Sequence, residues 1–298
     1  MLLTIAIPTY NHHNLLLEQV ISILPQLNDE VNLFIVDNNS MPDVKSFLIS
    51  NKIDVNLIKF IKNKRNIGGN ENILKCINLT DSHWVWVLSD NDILRPDAIG
   101  NVINTIKLNN NCCFLNFDYP YTKYGEGLTE FCSNAYYVNS FTISNCIYNT
   151  QFLFQHLHFF KSAISTHLGQ LIFVLKYMEL NSSSSFVLSN IKLYDKSLPA
   201  EWSKKKFVVD SLNFYDFFSG DALKVIYQSR FGKQILGMQV LLLALSKSKE
   251  KTSIFEVGKI FVQILKRSSF YQIFSLNFFR SLLTLILVCF YTVFLKKS

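Results

Sequence analysis

The chain has 298 residues, of which 49% are hydrophobic and 17% charged, which excludes a disordered protein and allows one large core or two modest ones. A positive mean hydropathy and 26 phenylalanines exceed what a freely soluble enzyme needs, so part of the surface is expected to meet lipid or a partner. The net charge of +7 is uneven: residues 1–201 hold 14 Lys+Arg against 17 Asp+Glu, whereas residues 202–298 hold 15 against 5. In that last third the basic residues alternate with aliphatic ones and no nucleic-acid motif appears, which points to an anionic membrane surface and away from nucleic acid. The six cysteines lack zinc or CxxC spacing and read as reduced, buried thiols. Met1–Tyr10 lacks a basic n-region, so no signal peptide is expected and a cytoplasmic chain is.

Strand and helix signals alternate through the first hundred residues. Leu2–Ile7, Val31–Val36, Val55–Ile61 and Trp84–Leu88 predict strands. Asn14–Leu24, Asp43–Ile49, Asn70–Leu79 and Pro96–Leu108 predict helices, with Pro96 in a first helical turn. The alternation argues for a mostly parallel sheet covered by helices, an α/β fold. Beyond it, Cys112–Phe117 and Phe186–Tyr194 predict strands, and His167–Glu179 a helix capped by Thr166. Helical patterns take over after about residue 200, including an amphipathic Ser253–Lys266. Ser281–Leu295 is an apolar run flanked by Arg280 and Lys296-Lys297. It reads first as an interfacial helix, with a marginal span or a buried core helix as the alternatives.

Ligands in open α/β sheets bind beyond the carboxyl ends of the strands. Three polar clusters fall there: Pro8-Thr9-Tyr10-Asn11, Asp37-Asn38-Asn39-Ser40 and Ser89-Asp90-Asn91-Asp92. Asp90 and Asp92 would repel one another without a cation, and a divalent metal carrying a diphosphate satisfies both. That alone suggests a nucleotide-diphosphate enzyme. Asp37 can accept from a base N–H or a ribose hydroxyl, or it can simply cap a turn. Gly68-Gly69 precedes a helix start that attracts phosphate, or it forms an ordinary tight turn.

In order and spacing, Pro8–Asn11, Val36–Ser40, Asn66–Asn70 and Leu88–Asp92 resemble the motifs of family 2 glycosyltransferases, over roughly residues 1–110. The flavour is that of bacterial O-antigen and surface-polysaccharide enzymes. The resemblance implies the GT-A fold and sugar transfer with inversion from a nucleotide-diphosphate donor. It implies that Pro8, Thr9, Tyr10 and Asn11 line the base pocket and that Asp37 binds base or ribose. Asn66, Gly69 and Asn72 would approach the nucleotide or sugar, and Asp90 and Asn91 would face ribose and donor sugar. Asp92, with Asp90, would hold Mg²⁺ or Mn²⁺. The implied acceptor is a lipid-linked, polyprenyl diphosphate saccharide at the cytoplasmic face of the inner membrane.

The family's general base is usually an acidic residue in the second half of the domain, yet no acidic residue lies between Glu130 and Glu179. Ser165–Gln170 occupies that stretch. His167 is therefore either the base, kept neutral by a helix N-terminus, or a structural histidine, and Asp118 is a second candidate. His156 and His158 are expected to alternate on a strand as a structural pair. Lys204–Lys206 reads as a solvated run or a contact for lipid headgroups. Three regions follow: a donor half over residues 1–110, an acceptor half over 111–200, and a basic, helical, membrane-associating region over 201–298. A nucleotidylyltransferase, which would need a glycine-rich basic N-terminal loop, and a non-enzymatic assembly partner are the competing readings.

Overall fold

The computed structural model of the protein describes residues 1–197 and 203–290. In β1 (Leu3–Thr9), Leu3, Ile5 and Ile7 face one side of the sheet and Ala6 faces the other, the two-residue period of a strand covered on both faces. With β2 (Val31–Asp37), β3 (Ile58–Lys62) and β4 (Trp84–Val87) it forms a parallel block in the order β3-β2-β1-β4. Helices α1 (His13–Ile23), α2 (Val44–Ser50) and α3 (Gly69–Asn78) fall between successive strands. A short β5 (Asp92–Leu94) and α4 (Ala98–Leu108) follow.

The sheet continues through β6 (Phe114–Asn116), β7 (Lys123–Glu126), β8 (Cys146–Asn149) and β9 (Ser185–Leu188), in the order β4-β8-β6-β9-β7. β8 runs antiparallel to both of its neighbours, so the eight-stranded sheet is mixed, with a parallel N-terminal half. β10 (Tyr194–Ser197) pairs antiparallel with β5 and sets Ser197 opposite Asp92. The expected strand Phe186–Tyr194 is thus two strands, because the chain leaves the sheet at Ser189, whose N–H donates to Asn116 O at 2.7 Å, and resumes against β5. Pro96 precedes its helix: it lies in a turn closed by Ala98 N–H on Arg95 O at 3.1 Å.

The buried residues form two clusters, one on each face of the sheet. α1, α2 and α4 cover one face. The other is covered by α3, α5 (Gly127–Asn134), α6 (Tyr137–Phe141), α7 (Thr150–Leu153), α8 (Leu157–Ser162) and α9 (Gly169–Leu180). His156 ends a 3₁₀ turn and His158 lies in α8, so the two do not alternate on a strand; the ring of His156 packs against Tyr177 at 5.2 Å.

The C-terminal third is continuous with this second cluster. α10 (Lys204–Ser211), α11 (Gly220–Gln228), α12 (Arg230–Lys249), α13 (Ile254–Lys266), α14 (Phe270–Ile273) and α15 (Leu276–Phe290) follow one another. Phe231, Ile235, Leu236, Val240 and Leu243 of α12 are fully buried, so much of the excess hydrophobicity is core. α15 lies along α12, and Gly237 lets the two backbones approach closely: a side-chain carbon added there would stand only 3.3 Å from Asn277. Phe278 and Leu285 face inward, and each such burial contributes about 1.5–3 kcal/mol. The opposite side of α15 stays open: Leu283 is 58% exposed, Ile286 54% and Leu287 58%. No described helix is long and apolar enough to cross a membrane. Of the apolar run Ser281–Leu295, residues 291–295 lie outside the described residues, as do Lys296 and Lys297.

Candidate active site

The carboxyl ends of β1, β2 and β4 converge, and their polar residues bind one another. Thr9 Oγ1 donates to Asp90 Oδ2 at 2.7 Å, and His12 Nδ1 lies 3.1 Å from both Asp90 oxygens. The hydrogen bond to Asp90 raises the pKa of His12 against a smaller opposing effect of burial. Asn11 sits in the left-handed region at φ 57°. Its amide oxygen accepts from Met41 N–H, and its own N–H donates to Ser40 Oγ. Ser40 N–H in turn donates to Asp37 Oδ1 at 2.8 Å. Among the described residues Asp37 Oδ2 is buried without a hydrogen-bond partner, and Lys62 Nζ stands 3.9 Å away. A buried acceptor left open in this way costs free energy that a donor group on a ligand would recover.

The Gly68-Gly69 loop rests on an asparagine network. Asn38 Nδ2 donates to Asn66 Oδ1 at 2.8 Å, and Asn38 Oδ1 accepts from Asn63 and Ile67 N–H. Asn72 is buried, accepting from Asn63 and donating to Val36 O, both at 2.9 Å. The expected contact of Asn72 with nucleotide or sugar is corrected on this point: both ends of its amide are spent inside the protein. Gly68, at φ 98°, makes the turn, and Gly69 is open to solvent on its side-chain side.

A cavity of about 730 Å³ opens beside these loops. Its polar wall includes Asn70, Asn91, Asp92, His167 and Lys206, and its apolar wall includes Tyr137, Phe141, Phe207 and Leu242. Of the site residues expected from sequence, Asn91, Asp92 and His167 line this cavity, and Asp118 does not. Pro8 and Thr9 end β1, Asp37 ends β2, Gly69 begins α3, and Tyr10, Asn11, Asn66 and Asp90 lie on the adjoining loops; none of these residues lines the cavity. Gln19 of α1 holds the Asp90–Asp92 loop from behind, its buried Nε2 donating to Ser89 O and to Asp92 O. A lone glutamine on an amphipathic helix carries no sequence signal for that work.

His167 sits at φ 57°, two residues before α9, and Leu168 takes the capping position. Thr166 is therefore not the cap of this helix. Its hydroxyl donates to Ala163 O and accepts from Leu168 N–H. Gly169 lets Phe160 pack against the helix start, where any side chain would clash with the ring. Asn70 Nδ2 lies 2.7 Å from Ile164 O and 3.1 Å from His167 Nδ1. An amide NH₂ donates in both directions, so Nδ1 accepts and Nε2 carries the proton. That N–H meets Asp210 Oδ2 at 2.8 Å. Burial first and Lys206 second lower the pKa of His167, and Asp210 opposes them. The expected helix-terminus effect is replaced by these causes.

Asp210 belongs to α10, beyond the reach of any local motif around residue 167. Ser203 caps α10 by accepting from Lys206 N–H, and Glu250 accepts from the N–H groups of Lys204 and Lys205. Lys206 and Asp210 then share a helix face, 2.9 Å apart. Lys205 pairs with Glu256 at 3.1 Å. Lys205 and Lys206 thus form ion pairs while staying solvated, with side chains 40% and 66% exposed.

The donor set suits a hard divalent cation. The described residues bring together no group of three His, Cys, Asp or Glu side chains. Mg²⁺ shared with a diphosphate needs only one or two carboxylates, and buried Asp92 faces the cavity. Asp90 is held by Thr9 and His12 and does not line the cavity, whereas Asp92 does.

The family model for glycosyl transferase family 2 matches residues 4–166. No curated protein matches the sequence. Among solved structures, TarS 1–349 of S. aureus is similar at a TM-score of 0.58 and 16% identity, over 90% of this chain and 80% of that one. The same protein with UDP-GlcNAc matches at a TM-score of 0.59 and 13% identity, covering 90% and 82%. The mannosyltransferase PcManGT from Pyrobaculum calidifontis, with GDP-Man and Mn²⁺, matches at 0.52 and 10%, covering 98% and 87%. These similarities extend the shared fold through the C-terminal helices, and with the family match spanning more than half its length, the chain belongs to glycosyl transferase family 2.

Proposed function

We propose that the protein moves one sugar, with inversion, from a nucleotide-diphosphate donor to a lipid-linked saccharide in O-antigen or other surface-polysaccharide synthesis. The observation that carries this reading is the cavity into which Asp92 and His167 both face. The open oxygen of Asp37 accepts from the nucleotide base or ribose. Asp92 holds Mg²⁺ or Mn²⁺, which when bound offsets the charge developing on the leaving diphosphate. The complexes of TarS with UDP-GlcNAc and of PcManGT with GDP-Man and Mn²⁺ support a donor of this class.

His167 takes the proton of the attacking acceptor hydroxyl at Nδ1. Asp210 fixes the tautomer through Nε2–H and stabilises the imidazolium that forms, the role a third group plays behind any activated nucleophile–base pair. The acceptor oxygen bonds to the anomeric carbon as the nucleoside diphosphate departs. Residues 1–110 serve as the donor half, 111–200 as the acceptor half, and 201–298 bring the enzyme to the cytoplasmic face of the inner membrane. The open apolar side of α15, with Phe270 and Phe274 before it, is the surface that meets the bilayer.

The test is calorimetric titration with UDP, dTDP, GDP and CDP, with and without Mn²⁺. Metal-dependent binding of one nucleotide, lost in Asp92→Ala, is the expected result. Binding of none of them overturns the assignment.

A further inference from the structure

A second cavity, of about 350 Å³, lies between α6, α12 and α15. It shares Tyr137, Val138 and Met238 with the larger one, so the two are neighbours along one wall. Tyr137 is 1% exposed, and its hydroxyl has no hydrogen-bond partner among the described residues. A buried O–H in that state calls for an acceptor atom.

The charges around this cavity have one sign. α6, α12 and α15 carry no acidic residue. Arg280 lines the cavity and makes no ion pair among the described residues. Arg230 stacks over the ring of Tyr136, another lining residue, at 4.1 Å. An anion is the complementary ligand.

The outer edge is apolar. Along α15, Leu276 stands four residues before Arg280, Leu283 three after it and Leu287 four after Leu283, and all three leucines are more than half exposed. A ligand that satisfies both features has an anionic group at Arg280 and a hydrocarbon chain along the leucine stripe. Its far end would point over Tyr137 toward the larger cavity.

We infer that this second cavity is a binding site for the diphosphate of a prenyl-type lipid carrier, with Arg280 and Tyr137 as its recognition groups. The inference rests on the transferase reading above and adds to it the place where the acceptor's carrier is held.

The probe is farnesyl diphosphate, titrated into the full chain in EDTA so that no metal draws the diphosphate to Asp92. Inorganic pyrophosphate and phosphatidylglycerol–phosphatidylcholine vesicles are titrated in parallel. Wild-type protein is expected to bind farnesyl diphosphate about tenfold or more tightly than pyrophosphate. Arg280→Ala weakens farnesyl diphosphate binding by roughly tenfold or more, Arg280→Lys restores part of it, and Tyr137→Phe weakens it about threefold. Asp92→Ala leaves it unchanged. Equal binding of pyrophosphate, an unchanged Arg280→Ala, or an effect of Arg280 confined to vesicles each overturns the site. Nucleotide titrations with Mn²⁺ on the same preparations separate the two claims. Nucleotide binding without farnesyl diphosphate binding removes this site alone, whereas loss of nucleotide binding by the wild type removes the transferase reading.

Discussion

Replacing Asp210 with asparagine tests the histidine in the cavity wall without emptying the site. The asparagine Oδ1 still accepts from Nε2–H of His167, so ring orientation and tautomer persist. What disappears is the charge facing the imidazolium. A hydrogen bond to a charged group contributes about 1.5–3 kcal/mol and a neutral one about 0.5–1.5. The difference, about 1–1.5 kcal/mol, is roughly a tenfold loss in kcat. The two side chains are 32% and 22% exposed, so solvent screening holds the effect toward the lower end. His167→Ala removes the base itself and is expected to cost about 10²–10⁴ in kcat. The assay is nucleotide release at saturating donor and acceptor, followed across pH. The rate rises with pH as the imidazole loses its proton, and burial with Lys206 already holds that pKa below the ordinary value. Asp210 pulls it upward, so Asp210→Asn should move the acidic limb to lower pH. A variant with unchanged kcat, or a limb displaced to higher pH, would refute the pairing.

Other perturbations address the donor side and the membrane face. Asp92→Ala should abolish metal-dependent nucleotide binding, and a titration that still shows it would remove Asp92 as the metal ligand. Asn72→Leu strands Val36 O and part of Asn63 inside the core. It should lower stability by about 1–3 kcal/mol in urea denaturation, and an unmoved midpoint would mean the network is dispensable. Leu283→Asp with Leu287→Asp should cut co-sedimentation with anionic vesicles by roughly tenfold or more, since each leucine contributes up to about 1.5–3 kcal/mol on burial. Full retention on vesicles would assign the surface a different use.

The parallel half of the fold was readable because its strands are short apolar runs alternating with helical patterns, and β1, β2 and β4 end in polar clusters. On the other side Cys112–Phe117 and Phe186–Tyr194 located β6 and β9, whereas β5, β7 and β8 have only three or four residues each, too few to display a period. They are defined by pairing: Phe114 lies opposite Tyr148 and Phe186 only once the sheet exists. The site divides in the same way. Asp92 and His167 stand out as carboxylate and imidazole in telling positions. Asp210 and Gln19 do not, since each acts through a contact 43 or more residues away along the chain. A motif scan also cannot separate Asn72, whose amide is consumed by the scaffold, from Asn91, which faces the cavity.

Asn70 gives the proposed base a resting partner. Its amide covers Nδ1 of His167 while its helix begins at Gly69, in the loop beside the nucleotide site. A lone pair so engaged is a weaker base toward stray water, which on the proposed reading would slow futile hydrolysis of a bound sugar nucleotide. Proton removal by Nδ1 requires that Asn70 let go, and the segment that carries Asn70 is the one proposed to meet the donor. On the proposed reading, catalysis would have a built-in order, with sugar nucleotide first and acceptor second. Its kinetic signature would be a dead-end acceptor analogue that inhibits uncompetitively with respect to the donor.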